Sequence, residues 1–239
     1  MAITVEYCKS PDELGHAKKL FGEIFSANDF ADKFYKILEN TDGIDVILGK
    51  YNGEPVSVIH VLRCGDTSYI YGAGVLSKYR LKGVFRVLIT ETVKMCKQKG
   101  DKIIFTVPQE SFHYDIYKKF DVGTEVYKNT YELTEDSHFV TENADDIKIL
   151  YRLYCEKDQS PVTLPYDLFE LYIKETDRKV EFIKKDGEVC GYMISENGKP
   201  YEIYCKLDGF YRISGREIFA LAAENGKKTD EIYEAVFLD

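Results

Sequence analysis

The 239-residue chain has no CxxC pair, no long apolar run and no excess of positive charge, and each absence removes a class of function. Its six cysteines, Cys8, Cys64, Cys96, Cys155, Cys190 and Cys205, are scattered, with no histidine cluster beside them. That spacing offers neither a zinc site nor a paired redox motif, so no metal is expected and the thiols read as reduced core residues. No apolar run approaches the roughly 20 residues that span a bilayer. The opening MAITVEYCKS lacks the basic and apolar regions of a signal peptide. A cytoplasmic protein with no membrane partner is expected. GxxxxGK[ST] and GxGxxG are both absent, which removes the Walker-type phosphate loop and the dinucleotide fingerprint.

The net charge is −9, and it is unevenly placed. Residues 1–134 hold 18 Lys plus Arg against 18 Asp plus Glu, and the remainder holds 14 against 23. An acidic chain repels phosphates, so no nucleic-acid partner is expected, whereas a cationic amine would be attracted. A solvated acidic surface that keeps the protein soluble accounts for the same balance. Hydrophobic content of 44% and charged content of 31% are those of a globular protein, and the length suffices for one large domain or two small ones.

Ile3 to Tyr7 alternates as a strand does. Pro11 then opens a helix with Leu14, Ala17, Leu20, Phe21 and Ile24 on one stripe, and DFADKFYKILEN gives a second helix. Two β-rich runs flank Asn52-Gly53, the pair a type I′ turn requires, so a hairpin is expected there. Thr67 to Leu76 reads as another strand, with Tyr69 and Tyr71 on one face. After Tyr79-Arg80-Leu81-Lys82-Gly83 a helix runs through LKGVFRVLITETVKMCKQ and stops at Gly100. Ile103 to Val107 is short and apolar, as a strand buried on both faces would be. A helix over Phe112 to Phe120 and strands near Gly123 to Tyr127 and Asn129 to Leu133 close this unit. TEDSHFVTENADD reads as a linker, followed by helices near Ile147 to Cys155 and Tyr166 to Glu175, a hairpin at Asp186-Gly187, and a last strand near Ile232 to Leu238. Two landmarks recur: Asn52-Gly53-Glu54 as Asp186-Gly187-Glu188, and Tyr79-Arg80-Leu81-Lys82-Gly83 as Tyr211-Arg212-Ile213-Ser214-Gly215. A duplicated plan is expected, with units at 1–134 and 146–239 and a linker at 135–145.

The chemistry-bearing feature is a strand, a basic glycine-containing turn and the start of a helix. The first amides of a helix lack intrahelical partners and lie at its positive end, so this turn can hold an anion. An ordinary strand-to-helix turn with solvated basic residues has the same composition. The segment Arg80-Leu81-Lys82-Gly83-Val84-Phe85 resembles motif A of the GNAT acetyltransferases, [Gln/Arg]-x-x-Gly-x-[Gly/Ala]. Phe85 departs from the small final residue, and Ser77 stands where many members carry proline. Ile116-Tyr117-Lys118-Lys119-Phe120-Asp121-Val122 resembles the family's Leu-Tyr-x-x-x-Gly-Phe segment, with Asp121 in place of glycine. The element order of residues 1–134 also resembles the family.

The resemblance implies an α/β (α+β) GNAT fold, a mixed and largely antiparallel sheet with helices on both faces, followed by a second partial GNAT-like unit. It implies an acetyltransferase that takes acetyl-CoA as co-substrate and passes its acetyl group to a primary amine by direct attack. By motif position, the co-substrate would meet Val75, Leu76, Arg80, Leu81, Lys82, Gly83, Val84, Phe85 and Arg86. A strand amide at Val75 or Leu76 would polarise the thioester carbonyl, and Tyr117 would act as general acid toward the departing thiolate. Tyr117 also suits a helix-face packing role. Glu110, His113 and Glu23 are candidate bases, while His16 and His60 read as half-buried structural residues. The second copy carries Glu217 where pyrophosphate would sit, so it is expected to be degenerate. The alternatives are a non-catalytic acyl-CoA-binding module and a Fem-like aminoacyl transferase, and a homodimer is possible.

Overall fold

The structure is a computed structural model that describes residues 2–108, 111–135, 138–157 and 163–226. Among the described residues two compact units result: the chain up to Val126 together with residues 220–226, and Tyr127–Phe219.

The first unit begins with β1 (Ile3–Tyr7), α1 (Pro11–Phe25) and α2 (Asn28–Leu38). Ser10 caps α1, its hydroxyl accepting from the Glu13 amide, and Pro11 occupies the first turn, where its missing N–H costs nothing. The strands β2 (Ile44–Tyr51) and β3 (Glu54–Cys64) meet at Asn52 and Gly53, whose φ values of 52° and 86° are those of the expected hairpin turn. There follow β4 (Thr67–Val75), α3 (Val84–Gln98), β5 (Ile103–Thr106), α4 (Ser111–Tyr117) and β6 (Thr124–Leu133). Gly100 ends the α3 segment at φ 95°. The two strands expected near 123–127 and 129–133 are one continuous strand, Thr124–Leu133.

The last strand of the described chain, β11 (Tyr211–Glu224), enters this sheet between β5 and β6, giving the order β1-β2-β3-β4-β5-β11-β6. Leu221 to Glu224 pair antiparallel with Thr106 to Ile103, while β4 and β5 pair parallel. Alternation along β3 sends Ile59 and Val61 to one face and His60 to the other. On the first face Leu88, Ile89 and Val93 of α3 join the core, and on the second His60 meets Phe21 of α1. Helices therefore cover both faces, as expected.

The second unit contains β7 (Phe139–Asn143), α5 (Ile147–Glu156), α6 (Tyr166–Glu175), β8 (Lys179–Lys185), β9 (Glu188–Glu196) and β10 (Lys199–Cys205). Its sheet runs β10-β9-β8-β7 and is antiparallel throughout. Asp146 caps α5 through the amides of Lys148 and Ile149, and Asp186-Gly187 forms the expected hairpin at φ 52° and 83°. The element order, strand, two helices and three strands, is the order that opens the first unit. At its centre Lys157 is ion-paired with the buried Glu202 at 3.2 Å, and the Tyr192 hydroxyl donates to the same carboxylate.

Three expectations fail. The linker at 135–145 contains β7, anchored by buried Phe139 and paired with β8. Tyr211-Arg212-Ile213-Ser214-Gly215 is not a turn before a helix: it lies inside β11, with no positive φ at Gly215 and no helix in the described residues after it. Consequently the boundary at 146–239 is displaced, since residues 220–226 belong to the first unit. The strand expected at Ile232 to Leu238 lies outside the described residues.

Exposure switches abruptly along β11, with Arg212 to Ile218 exposed and Phe219 to Ala223 buried. Leu221→Ala should therefore cost about 2–5 kcal/mol in urea unfolding. Ile218→Ala should stay within about 0.5 kcal/mol of the parent. Equal effects at the two positions would contradict this placement of the strand.

Candidate active site

The parallel ladder between β4 and β5 has four rungs, from Thr67 opposite Ile103 to Ile70 opposite Thr106. There β5 ends, and β4 continues for five residues to Val75 without it. Thr106 closes the last rung by donating its hydroxyl to the Ile70 carbonyl at 3.1 Å. Immediately beyond, β4 bulges. His60 of β3 pairs with Tyr71 and Val58 with Gly74, so two steps on β3 oppose three on β4. Gly72 makes this possible at φ 57°, and it also admits α1, because a Cβ there would lie 2.6 Å from the Phe21 ring. Gly74 likewise leaves room for Ile24, 2.5 Å from the position of its absent Cβ.

At the bulge the His60 ring lies against the Tyr71 carbonyl. Its Nδ1 lies 3.3 Å from that oxygen, and its Nε2 lies 2.8 Å from the Tyr35 hydroxyl. The consistent tautomer has Nδ1–H donating to the carbonyl and Tyr35 O–H donating to Nε2. Phe21, Phe34, Tyr35 and Tyr71 surround the ring, and burial pushes its pKa down to about 3. His60 is thus fully buried rather than half-buried, and His16 is exposed. Sequence patterning missed the role of His60, Gly72 and Gly74, since only the bulge gives them one.

At the far end of β4, Leu76 donates its N–H to the Val56 carbonyl at 3.0 Å. Of the two candidate oxyanion donors, Leu76 is therefore engaged. Alternation turns the Val75 amide to the opposite edge, the side that β5 has vacated. There the Val75 carbonyl accepts from Arg80 Nε at 3.4 Å.

After a short 3₁₀ turn at Ser77–Tyr79, Leu81 and Gly83 both take left-handed conformations at φ 62° and 81°. Leu81 is exposed, so no packing repays the cost of that conformation, on the order of 1–2 kcal/mol. Gly83 caps α3 with no side-chain hydrogen bond, and nothing lies within 4 Å of its missing Cβ. The first backbone bond of the helix runs from Val87 N–H to Gly83 O, which leaves the amides of Val84, Phe85 and Arg86 without an intrahelical acceptor. Val84 anchors the turn among Val56 and Val75. Phe85 turns its ring inward, edge-on to Tyr117 at 5.7 Å, and so leaves the amide side of the turn open. Lys82 lies over the Tyr79 and Tyr51 rings at 4.9 and 5.6 Å, and Arg86 is exposed.

Tyr117 ends α4 with its ring buried and its hydroxyl hydrogen-bonded to Thr106, the residue at which β4 and β5 part. Burial pushes the phenol up to about 12, against a smaller lowering by Thr106. His113, one helical turn earlier, is half-buried against Phe112, with ring centroids 4.1 Å apart. Glu23 is exposed on α1, and Glu110 lies outside the described residues. The structure thus brings Val75, Arg80, the amides of residues 84–86 and Tyr117 to the free part of β4. No group of three or more potential metal ligands occurs among the described residues.

Residues 16–119 match the family model of the acetyltransferase (GNAT) domain. Among solved structures, Eis1 from Mycobacterium abscessus is similar with a TM-score of 0.63 at 12% identity, over 93% of this chain and 73% of that one. A conserved protein of Enterococcus faecalis, described as a probable N-acyltransferase, gives 0.61 at 10% identity over 93% and 72%. A putative acetyltransferase from Pyrococcus horikoshii gives 0.55 at 14% identity over 95% and 92%. No curated protein matches the chain in sequence. The fold is the α/β GNAT fold. The chain contains no helix, among its described residues, that is long and apolar enough to cross a membrane.

His60 gives the fold a pH signature. With its folded pKa about 3 and the unfolded value 6.5, the unfolded chain binds more protons between those limits. Stability should therefore fall as pH drops through 6.5, at up to about 1.4 kcal/mol per unit, or about 2 kcal/mol by pH 5. Chemical unfolding of His60→Gln, compared with the parent at both pH values, should show that increment removed; an unchanged slope would reject the assignment.

Proposed function

We propose that the chain is an N-acetyltransferase that passes the acetyl group of acetyl-CoA to a primary amine of a small molecule or peptide. The observation that carries this reading is the open cluster of amides at residues 84–86, set beside a β4 edge that β5 has left free. The amides and the positive end of the α3 dipole suit a pyrophosphate, with Lys82 and Arg86 adding positive charge around it. The free edge of β4 suits an extended pantetheine arm, which would present its thioester carbonyl to the Val75 amide.

The amine nitrogen attacks the thioester carbon directly. The C–S bond then breaks, and its electrons leave with the sulfur. Tyr117 is protonated across the physiological range, with its pKa raised to about 12 by burial. An alkyl thiol has a pKa near 8.5, so the phenol holds its proton more tightly than the leaving thiolate would. Its contribution is a hydrogen bond to the sulfur as charge develops there, and the proton that the departing thiolate finally takes up is the one the amine nitrogen sheds on forming the amide. The strand Thr67–Val75 carries no carboxylate, so the amine either arrives neutral or is deprotonated by another element, for which His113, Glu110 and Glu23 are the candidates. The net excess of 9 acidic charges in residues 135–239 favours a cationic acceptor. A partial duplication is supported by the shared element order of the two units and by their matching Asn-Gly and Asp-Gly hairpins, and among the described residues the anion-binding turn occurs in the first copy alone.

Gly83→Glu should abolish the thermal shift produced by acetyl-CoA, while Gly83→Ala, equally strained but uncharged, should retain part of it. Tyr117→Phe should keep the shift and lower kcat by roughly one to a few orders of magnitude in thiol-release assays. Full activity in Tyr117→Phe removes Tyr117 from the reaction. A strong acetyl-CoA shift with no thiol release across a broad amine panel would leave an acyl-CoA-binding module instead of an enzyme.

A further inference from the structure

The second unit holds a feature that the transferase chemistry does not use. Cys190 of β9 and Cys205 of β10 approach to an Sγ–Sγ distance of 3.8 Å, and both are free thiols. Gly191 explains the proximity. It lies directly opposite Cys205 in the ladder, and a Cβ on it would fall 2.1 Å from the Tyr204 carbonyl and 2.8 Å from the Cys205 Cα. The missing side chain lets the two backbones close together at this point, and the Lys206 amide, donating to the Cys190 carbonyl at 2.9 Å, fixes them there.

We propose that Cys190 and Cys205 form a reversible redox pair that closes to a disulfide across the open end of the β9–β10 hairpin. A covalent S–S bond is about 2.05 Å long, so side-chain rotation has to bring the sulfurs together by roughly 1.8 Å, with the strands already in place.

The two thiols are not equivalent. Cys190 is buried and donates its S–H to the Ile183 carbonyl at 3.4 Å. Cys205 is half-buried, and it receives the Leu207 N–H and the field of Lys185, both of which favour its thiolate. Burial outweighs them and holds Cys205 up to about 11, so the pair is slow to oxidise near neutrality and faster as pH rises.

The oxidant is a low-molecular-weight disulfide. The Cys205 thiolate attacks one of its sulfurs, forms a mixed disulfide and expels a thiolate, which leaves as thiol. The Cys190 thiolate then attacks the Cys205 sulfur of the mixed disulfide and expels the second thiolate. Two protein thiols lose two electrons and two protons in total, and one external disulfide becomes two thiols.

Glutathione disulfide is the probe. The full chain is equilibrated with it in excess over glutathione, alkylated, digested and mapped by mass spectrometry. The expected product is a Cys190–Cys205 crosslink with no retained glutathione, reversed by dithiothreitol and formed about tenfold faster for each pH unit above 7. The crosslink closes a short loop in the unfolded chain, so the thermal midpoint should rise by roughly 5 °C or more. Cys190→Ser should stop at the stage of a stable glutathione adduct on Cys205. Cys205→Ser should leave Cys190 alkylatable. Parent protein that ends with both thiols alkylatable, or with glutathione retained on Cys205, overturns the proposal. So does equal glutathione capture by Cys190 in Cys205→Ser.

Discussion

The parting of β4 from β5 after their fourth rung, Ile70 opposite Thr106, is the constraint on which the first unit depends. A parallel ladder that continued would pair the β4 edge as far as Val75. Two devices stop it. The strand β5 ends at Thr106, and β4 inserts an extra residue opposite His60 and Val58. Bulges both bend a strand and increase its local twist, so β4 keeps its partner β3 on one side while its other edge is released.

Polar groups inside a core need partners, and the rings beside the bulge enclose several. That need accounts for a histidine amid aromatic rings. A hydrocarbon at position 60 would lose the hydrogen bonds to the Tyr71 carbonyl and the Tyr35 hydroxyl, and a lysine or arginine would bring a charge among aromatic rings. Neutral imidazole has one donor and one acceptor on one flat ring. Tyr35 satisfies the acceptor, and the Phe21 ring packs edge-on against the imidazole at 5.2 Å. Gly72 and Gly74 belong to the same solution, since α1 can seal this face only if β4 carries no side chain where Phe21 and Ile24 approach.

How much of this was legible in the sequence depended on how local its cause is. Ser10-Pro11, Asn52-Gly53, Asp146 and Gly100 act on their immediate neighbours, and the elements they bound are where local chemistry puts them. The turn before α3 was legible for the same reason. The bulge was not, because the consequence of Gly72 is expressed only against β3 and α1. The segment 134–146 looked like a linker because its strand has a single buried side chain, Phe139, in five residues. Leu76 was a plausible oxyanion donor until the ladder register assigned its amide to Val56.

Tyr79-Arg80-Leu81-Lys82-Gly83 and Tyr211-Arg212-Ile213-Ser214-Gly215 are similar strings with opposite fates. In the first, Gly83 sits at φ 81°, a conformation open to glycine at little cost, and the following Val84 is buried by Val56 and Val75. In the second, Arg216 stands where the first has Val84 and is exposed, so no such anchor is available. Thr130 and Ser214 instead bond side chain to side chain at 3.1 Å, and Arg212 pairs with Glu132, contacts proper to a two-stranded ladder. Beyond them Leu221 to Glu224 complete the ladder with β5. A chain that must extend to supply that strand cannot also coil into a helix at the same place. Among the described residues the element order of the first unit is therefore repeated as far as its third consecutive strand, and the left-handed turn before a helix is not, because the residues that would form it are required as β11.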